Sequence, residues 1–375
     1  MRTRRHFRTT ALPHCIQSVF LAFVLLCMCA AAFCAVPFYR ATELNPLGPG
    51  LECPHPTDIN NAGEIAGYSR NSSYTLVAAR WNAGSTTPEE LGFLPGYYYQ
   101  TFVTEINPSS QIVGTSYTIE SETTYPARAF RWTPGSGFLD LGTLGGDSRG
   151  GGINDAGEVV GTSAGHPFLW TEATGMTQLF SQSGLGADIN NHGHIVGHYT
   201  VSGSNRAYRW TQQGGIQDLG VLPGTTTSTA GYVNDSGTVA GSSGNRGFIW
   251  RDTIGMVDLG MPVGATSVVL GGLSETGQIV GCLTVGSGSQ AYKAFSWWQG
   301  VGIVDLNTLL DTPIASGYQL NIAWGVNDNS QIVATARDAS WHTKAYLLTP
   351  VPEPSSLLAL GLGLTGLGRM LRRRK

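Results

Sequence analysis

The sequence predicts an all-β repeat protein: a seven-bladed β-propeller with four-stranded blades, bracketed by an N-terminal signal and a C-terminal apolar helix. Three observations predict it. A turn of the form apolar-Asn-x-x-Gly, with Ser for Asn in one copy and Ser for Gly in two, followed by a β-branched run, recurs seven times between residues 58 and 334. Each copy adds further strand-like segments, about four over roughly 40–45 residues, which is the size of one blade. One strand-like segment near the start, Phe38–Leu44, has no unit of its own, whereas the seventh unit lacks a fourth strand before Val351. That segment can complete the last blade and cover its open edge. An open β-solenoid or a different blade number is the alternative arrangement.

Residues 1–35 read as an export signal. Arg2, Arg4, Arg5 and Arg8 precede an apolar run from about Val19 to Ala32, and small residues follow before Val36-Pro37. Basic, apolar and small-residue regions in that order mark a signal peptide. Cleavage after Ala35 places Phe33 where a small residue is preferred; cleavage after Ala32 is the alternative, and a retained anchor is the other reading. Thr3-Arg4-Arg5-His6-Phe7 resembles a twin-arginine export motif, with Arg8 departing from the apolar residue usual there.

Residues 36–350 hold the repeats. The turns centre on Asn60 with Gly63, Asn107, Asn154 with Gly157, Asn190 with Gly193, Asn234 with Gly237, Ser274 with Gly277, and Asn327. Successive positions are 47, 47, 36, 44, 40 and 53 residues apart. Asn tolerates turn geometry, and Gly reaches positive φ without steric cost. A type I turn followed by a left-handed Gly is a common hairpin loop. Ser110 and Ser330 replace the Gly in the second and seventh copies, so those turns are expected to be strained or differently shaped. Each unit also offers a strand ending in an aromatic, as in Ala129-Phe130-Arg131-Trp132. Another strand carries Asp-Leu-Gly, as at Asp140, Asp218 and Asp258, with Asp305-Leu306 as a variant. Their alternation suits half-buried strands. No stretch between the ends offers a capped helical period.

Residues 351–375 read Pro352-Glu353-Pro354, then an apolar Gly-rich run, then Arg369 and Arg372-Arg373-Arg374-Lys375. The run is shorter than the roughly 20 residues of a comfortable membrane span. The cationic tip is expected to stay cytoplasmic, leaving the body outside. This order closely resembles the PEP-CTERM sorting signal of Gram-negative bacteria. The resemblance implies transient membrane association and processing by an exosortase-type transpeptidase at Pro352, Glu353 and Pro354 ahead of Arg372, Arg373 and Arg374. It also implies a link to exopolysaccharide and biofilm matrix. A simple C-terminal anchor is the alternative.

The repeats resemble the HAF family of extracellular repeats, named for a His-Ala-Phe element. Leu141–Gly146 and the Ile-Asn-x-x-Gly turns carry the match. The His of that element survives at His166 but is replaced at Arg128, Lys293 and Lys344, so no role of a His there carries over. The family lends no activity.

Charge narrows the function classes. The two ends hold nine of the 22 basic residues and one of the 25 acidic ones, so residues 36–350 carry 13 basic against 24 acidic groups, net −11. An acidic body is a poor nucleic-acid partner. With the signal removed, Cys53 and Cys282 are the cysteines left. They make no disulfide framework; pairing or two half-buried thiols are both open. His192, His194 and His198 are the best metal candidates, but His194 and His198 fill ordinary repeat slots, which favours surface variation. One Asp per turn is too few for calcium. Asp140, Asp218, Asp258 and Asp305 could line a pore, although shared hydrogen bonds of the repeat explain them better. Tyr97-Tyr98-Tyr99 and Trp297-Trp298 are either sugar-stacking platforms or packing. No P-loop, nucleophile elbow or zinc spacing occurs. The sequence therefore assigns no catalytic, cofactor or metal site. It indicates an exported, non-enzymatic surface or matrix module that meets export machinery, an exosortase, and exopolysaccharide or envelope proteins. A polysaccharide-active propeller hydrolase or lyase is the rival, and it would need clustered acids and a base on one face. A purely structural spacer is the third reading.

Overall fold

The computed structural model describes residues 36–352, except 49, 51–53 and 122–123. The expected signal at 1–35, the sorting segment beyond Pro352, and Cys53 with its possible pairing to Cys282 lie outside the described residues. Cys282 itself is buried, and burial pushes its thiol up to about 11.

The described chain forms 28 strands in seven four-stranded antiparallel sheets. An opening strand β1 (Phe38–Leu44) precedes the first blade, which comprises β2 (His55–Ile59), β3 (Ile65–Arg70), β4 (Leu76–Trp81) and β5 (Pro88–Gly92). Blade 2 comprises β6 (Gln100–Ile106), β7 (Ile112–Tyr117), β8 (Ala127–Thr133) and β9 (Gly137–Asp140). Blade 3 comprises β10 (Ser148–Ile153), β11 (Val159–Ser163), β12 (His166–Thr171) and β13 (Gly175–Gln178). Blade 4 comprises β14 (Gly184–Ile189), β15 (Ile195–Val201), β16 (Ser204–Thr211) and β17 (Gly215–Gly220). Blade 5 comprises β18 (Ser228–Val233), β19 (Val239–Ser243), β20 (Arg246–Arg251) and β21 (Gly255–Asp258). Blade 6 comprises β22 (Ser267–Leu273), β23 (Ile279–Thr284), β24 (Tyr292–Trp298) and β25 (Gly302–Asp305). Blade 7 comprises β26 (Gln319–Val326), β27 (Ile332–Arg337), β28 (Thr343–Val351) and, as its outer strand, β1. The seven-bladed propeller expected from the repeats is the observed fold.

The N-terminal strand closes the ring as its sequence position suggested. It pairs along its whole length with β28, from Phe38 opposite Val351 to Leu44 opposite Ala345. Tyr39 is fully buried and accepts a hydrogen bond at its hydroxyl from Gln278 Nε2 at 3.1 Å, in blade 6. Other blades spend the equivalent side chain on the turn Asn: Asn60 Nδ2 donates to Glu64, Asn107 to Gln111 and Asn154 to Glu158. Blade 6 has Ser274 in place of Asn, which leaves Gln278 available to hold the closing strand.

The core lies between blades. One blade presents small residues, such as Val113 and Ala129, to the large residues Ile153, Phe168 and Trp170 of the next. The same arrangement sets Val196 and Ala207 against Val233, Phe248 and Trp250. Burying one such aromatic is worth roughly 2–3 kcal/mol. In blades 1 to 6 the Gly that follows the two apolar residues opening the second strand answers this packing. A Cβ at Gly161 would lie 2.1 Å from the Arg149 carbonyl oxygen and 2.8 Å from the Phe168 ring.

Candidate functional site

The turns have the predicted geometry and a further role. In the first copy the Gly63 amide donates to the Asn60 carbonyl, with Gly63 at φ +82°. Asn60 Oδ1 accepts from the amides of Ala62 and Glu64. Ser110 and Ser330 adopt the same left-handed region, at φ +59° and +57°, so their turns keep the shape and carry the strain. Each Asn Nδ2 also reaches across to the next blade. Asn60 donates to the Asn107 carbonyl, Asn107 to Asn154, Asn154 to Asn190, Asn190 to Asn234, and Asn234 to Ser274, while Asn327 returns to Asn60. The circle breaks only where Ser274 lacks the amide. A second run of bonds through the following residues links Asp155, Asn191, Asp235, Glu275, Asp328 and Asn61.

Inside this ring the innermost strands share one irregularity. Their register skips between Pro56 and Asp58, Val103 and Glu105, Gly150 and Ile153, Gly186 and Asp188, Ala230 and Tyr232, Leu270 and Gly272, and Ala323 and Gly325. A bulge re-aims the side chain beside it. Asp58, Glu105, Asp188 and Tyr232 thus line an axial cavity of about 650 Å³.

These carboxylates sit deep in the molecule while keeping surface toward the cavity. Asp58 Oδ2 accepts from the Ile106 amide at 3.1 Å, and Glu105 Oε2 from Ile153 at 2.9 Å. Asp188 Oδ2 accepts from Val233 at 2.7 Å, and its Oδ1 from Ile189 at 2.6 Å. Burial raises Asp58 to about 6 and Asp188 to about 7, despite these amides. Glu105 is pushed well up by burial and by the neighbouring charges of Asp188 and Asp58. Burial and the same three acids raise the Tyr232 phenol.

On the side of blades 7, 1 and 2 the lining is aromatic. The His55 ring stacks on Tyr68 at 4.5 Å and tilts against Trp324 at 4.4 Å; Tyr68 meets Phe102 edge-on at 5.1 Å. Burial, with Arg337 nearby, lowers His55 to about 4, so the ring is neutral at neutral pH. Among the described residues, no lysine or arginine lines the cavity.

The other candidates lie elsewhere. Asp140, Asp218, Asp258 and Asp305 sit on outer strands, away from the axis. Each accepts from a backbone amide two residues on, and each faces a basic residue: Arg128, Arg206, Arg246 and Lys293 respectively. Lys344 pairs likewise with Glu43 of β1 at 2.6 Å. These basic residues, each on the third strand of its blade, are therefore partners of the outer strand. His192 and His194 lie 6.2 Å apart as rings at a turn, while His198 lies on β15, and burial lowers both His194 and His198. Among the described residues no group of three His, Cys, Asp or Glu is placed to hold a metal. Trp297 is core and Trp298 half-buried; Tyr97 packs under Arg128, Tyr99 stacks on Tyr125, and Tyr98 is exposed against Phe93. Pro352 is exposed; Glu353, Pro354, Arg372, Arg373 and Arg374 lie outside the described residues.

The channel acids escaped the sequence reading. Their signal was the slot two residues before each turn Asn, filled by Asp58, Glu105, Gly152, Asp188, Tyr232, Gly272 and Gly325.

Residues 350–375 match the PEP-CTERM protein-sorting motif family. The motif indicates an exported protein that is processed by an exosortase at the cell envelope. No curated protein matches the chain in sequence. Among solved structures the chain is similar to streptogramin B lyase, with 12% identity, a TM-score of 0.52, and coverage of 83% of this chain and 98% of that one. It is also similar to a catalytically inactive virginiamycin B lyase from Staphylococcus aureus with quinupristin, with 14% identity, a TM-score of 0.53, and coverage of 84% and 100%. Likeness at this identity is likeness of fold.

Proposed function

We propose that this protein is a binding module of the cell envelope or extracellular matrix that holds a ligand, an exopolysaccharide segment, in its central channel. A signal at 1–35 would export the propeller at 36–350, and an exosortase would act on the segment 351–375. The Leu141–Gly146 stretch and the Asn turns support placing the repeats with the HAF family. The observation that carries the binding reading is the axial cavity of about 650 Å³, walled by His55, Tyr68, Phe102 and Trp324 above Asp58, Glu105 and Asp188. That volume is in the range of small-molecule sites, and aromatic faces suit sugar rings. The acids support binding over turnover, because each already accepts a backbone amide of a neighbouring blade.

A polysaccharide lyase or hydrolase is the second reading. It is favoured by carboxyls that burial raises above their ordinary range, beside the half-buried Tyr232 hydroxyl; such groups serve as general acids. One experiment separates the two. The full chain, purified in detergent, is screened against exopolysaccharides, and the mixtures are analysed by mass spectrometry. Retention of polymer without new products is expected. Product release that disappears in Asp188→Asn or Glu105→Gln would establish the enzyme instead.

A further inference from the structure

We infer that the channel recognises a primary ammonium group, held between Glu105 and Asp188 on a compact polar ligand whose body lies along the His55–Tyr68–Phe102–Trp324 wall. The inference rests on the reading that the channel binds a ligand and names the chemistry of that ligand.

Charge selects the class. The titratable groups facing the cavity are Asp58, Glu105 and Asp188 on the inner strands, Tyr232 beside them, Asp155, Asp235 and Glu275 at the turn ring, and His55 and Tyr68 at the aromatic end. Six are acids and none is a lysine or arginine. A low-dielectric cleft lined by one sign of charge concentrates the opposite sign. The neutral His55 adds no charge; Arg337, close enough to help keep that ring neutral, lies outside the lining over the Trp341 ring, and the aromatic faces favour a cation further.

Geometry selects the position. A Cβ at Gly152 would lie 2.9 Å from Glu105 Oε2 and 2.8 Å from Asp188 Oδ1. The absent side chain admits the Asp188 backbone, whose Cα would lie 2.7 Å away, and with it brings two carboxylates from different blades together. An ammonium has three donors for such a pair, and a neutral sugar hydroxyl gains far less from it. A calcium ion would need six to eight oxygens, and these carboxylates are tied to amides of separate blades.

Burial and neighbouring acidic charges raise Glu105 and Asp188, so a bound ammonium favours the ionised carboxylates and displaces protons from them. Titration calorimetry of the full chain in detergent tests this, in two buffers of different ionisation heat. The amine probes are a glucosamine trimer and spermidine, which separate an amino sugar from a polyamine source. The comparison probes are the N-acetylglucosamine trimer, a glucose trimer and calcium chloride. One or both amines are expected to bind with proton release at about pH 8, and roughly tenfold more weakly at about pH 5; Glu105→Gln should weaken binding to a similar extent. Should Glu105→Gln fail to fold, proton release and the pH profile of the native chain decide. Equal binding of the acetylated or glucose trimer, or binding of calcium alone, overturns the ammonium assignment but leaves a ligand-binding channel. Silence of every probe counts against both.

Discussion

Asn190 serves two blades with one side chain. Its Oδ1 accepts the amides of His192 and His194 at 3.0 and 2.9 Å, and its Nδ2 donates to the Asn234 carbonyl at 2.9 Å. Asn190→Ala removes all three bonds and leaves buried groups unpaired, so urea unfolding should show a loss of about 2–3 kcal/mol. The exposed Asn191→Ala should cost clearly less. Ser330 tests the opposite sign. At φ +57° a side chain crowds the backbone, and Ser330→Gly should stabilise by about 0.5 kcal/mol once the looser unfolded chain is counted. In the same assay Gly63→Ser should destabilise by about 1 kcal/mol. The local turn was legible in Asn60-x-x-Gly63 because its chemistry spans four residues. The reach of Nδ2 to the next blade was not, since no spacing along the chain reveals which carbonyl ring closure brings near.

The closing strand was legible as an element. Phe38–Leu44 had strand alternation and no unit, and the seventh unit lacked a strand. Its anchor was hidden: Ser274 and Gln278 read as small departures from the repeat until Tyr39 lay beside them. Gln278 Nε2 donates to both Tyr39 Oη and Ser296 Oγ inside the core. Gln278→Leu should cost about 1–2 kcal/mol, and the loss should appear first as proteolysis near β1 rather than at the inner turns. The bulges of the innermost strands were equally hidden, because a bulge is a property of register between two strands. Hence nothing along the chain marks Asp58, Glu105 and Asp188 as neighbours, whereas recurrence makes Asp140, Asp218, Asp258 and Asp305 conspicuous.

At the scale of the molecule the channel acids impose a pH dependence. A carboxyl raised from 3.8 to about 7, as at Asp188, holds its proton more firmly folded than unfolded. Its contribution is full below the unfolded value and is lost as pH rises through the folded one; Asp58, raised to about 6, acts in the same sense. His55, lowered to about 4, opposes them, contributing above 6.5 and losing that contribution as pH falls toward 4. The carboxyl effect is isolated by a difference. Between about pH 4 and pH 8 the native chain should lose on the order of 3 kcal/mol more stability than Asp188→Asn, measured by urea unfolding at each pH.

Gly231 offers the most direct test of the channel itself. It lines the cavity, and a Cβ there would meet nothing closer than the Ala240 carbonyl oxygen at 3.9 Å. A phenylalanine at this position is expected to occupy channel space without replacing Glu105, Asp188 or any residue of the outer faces. The deciding measurement is the amount of exopolysaccharide or amine ligand retained by the native chain and by Gly231→Phe, at matched melting temperature. The account predicts that retention falls at least roughly tenfold when the channel is filled. Undiminished retention by the filled propeller would place binding on the outer surface and contradict it.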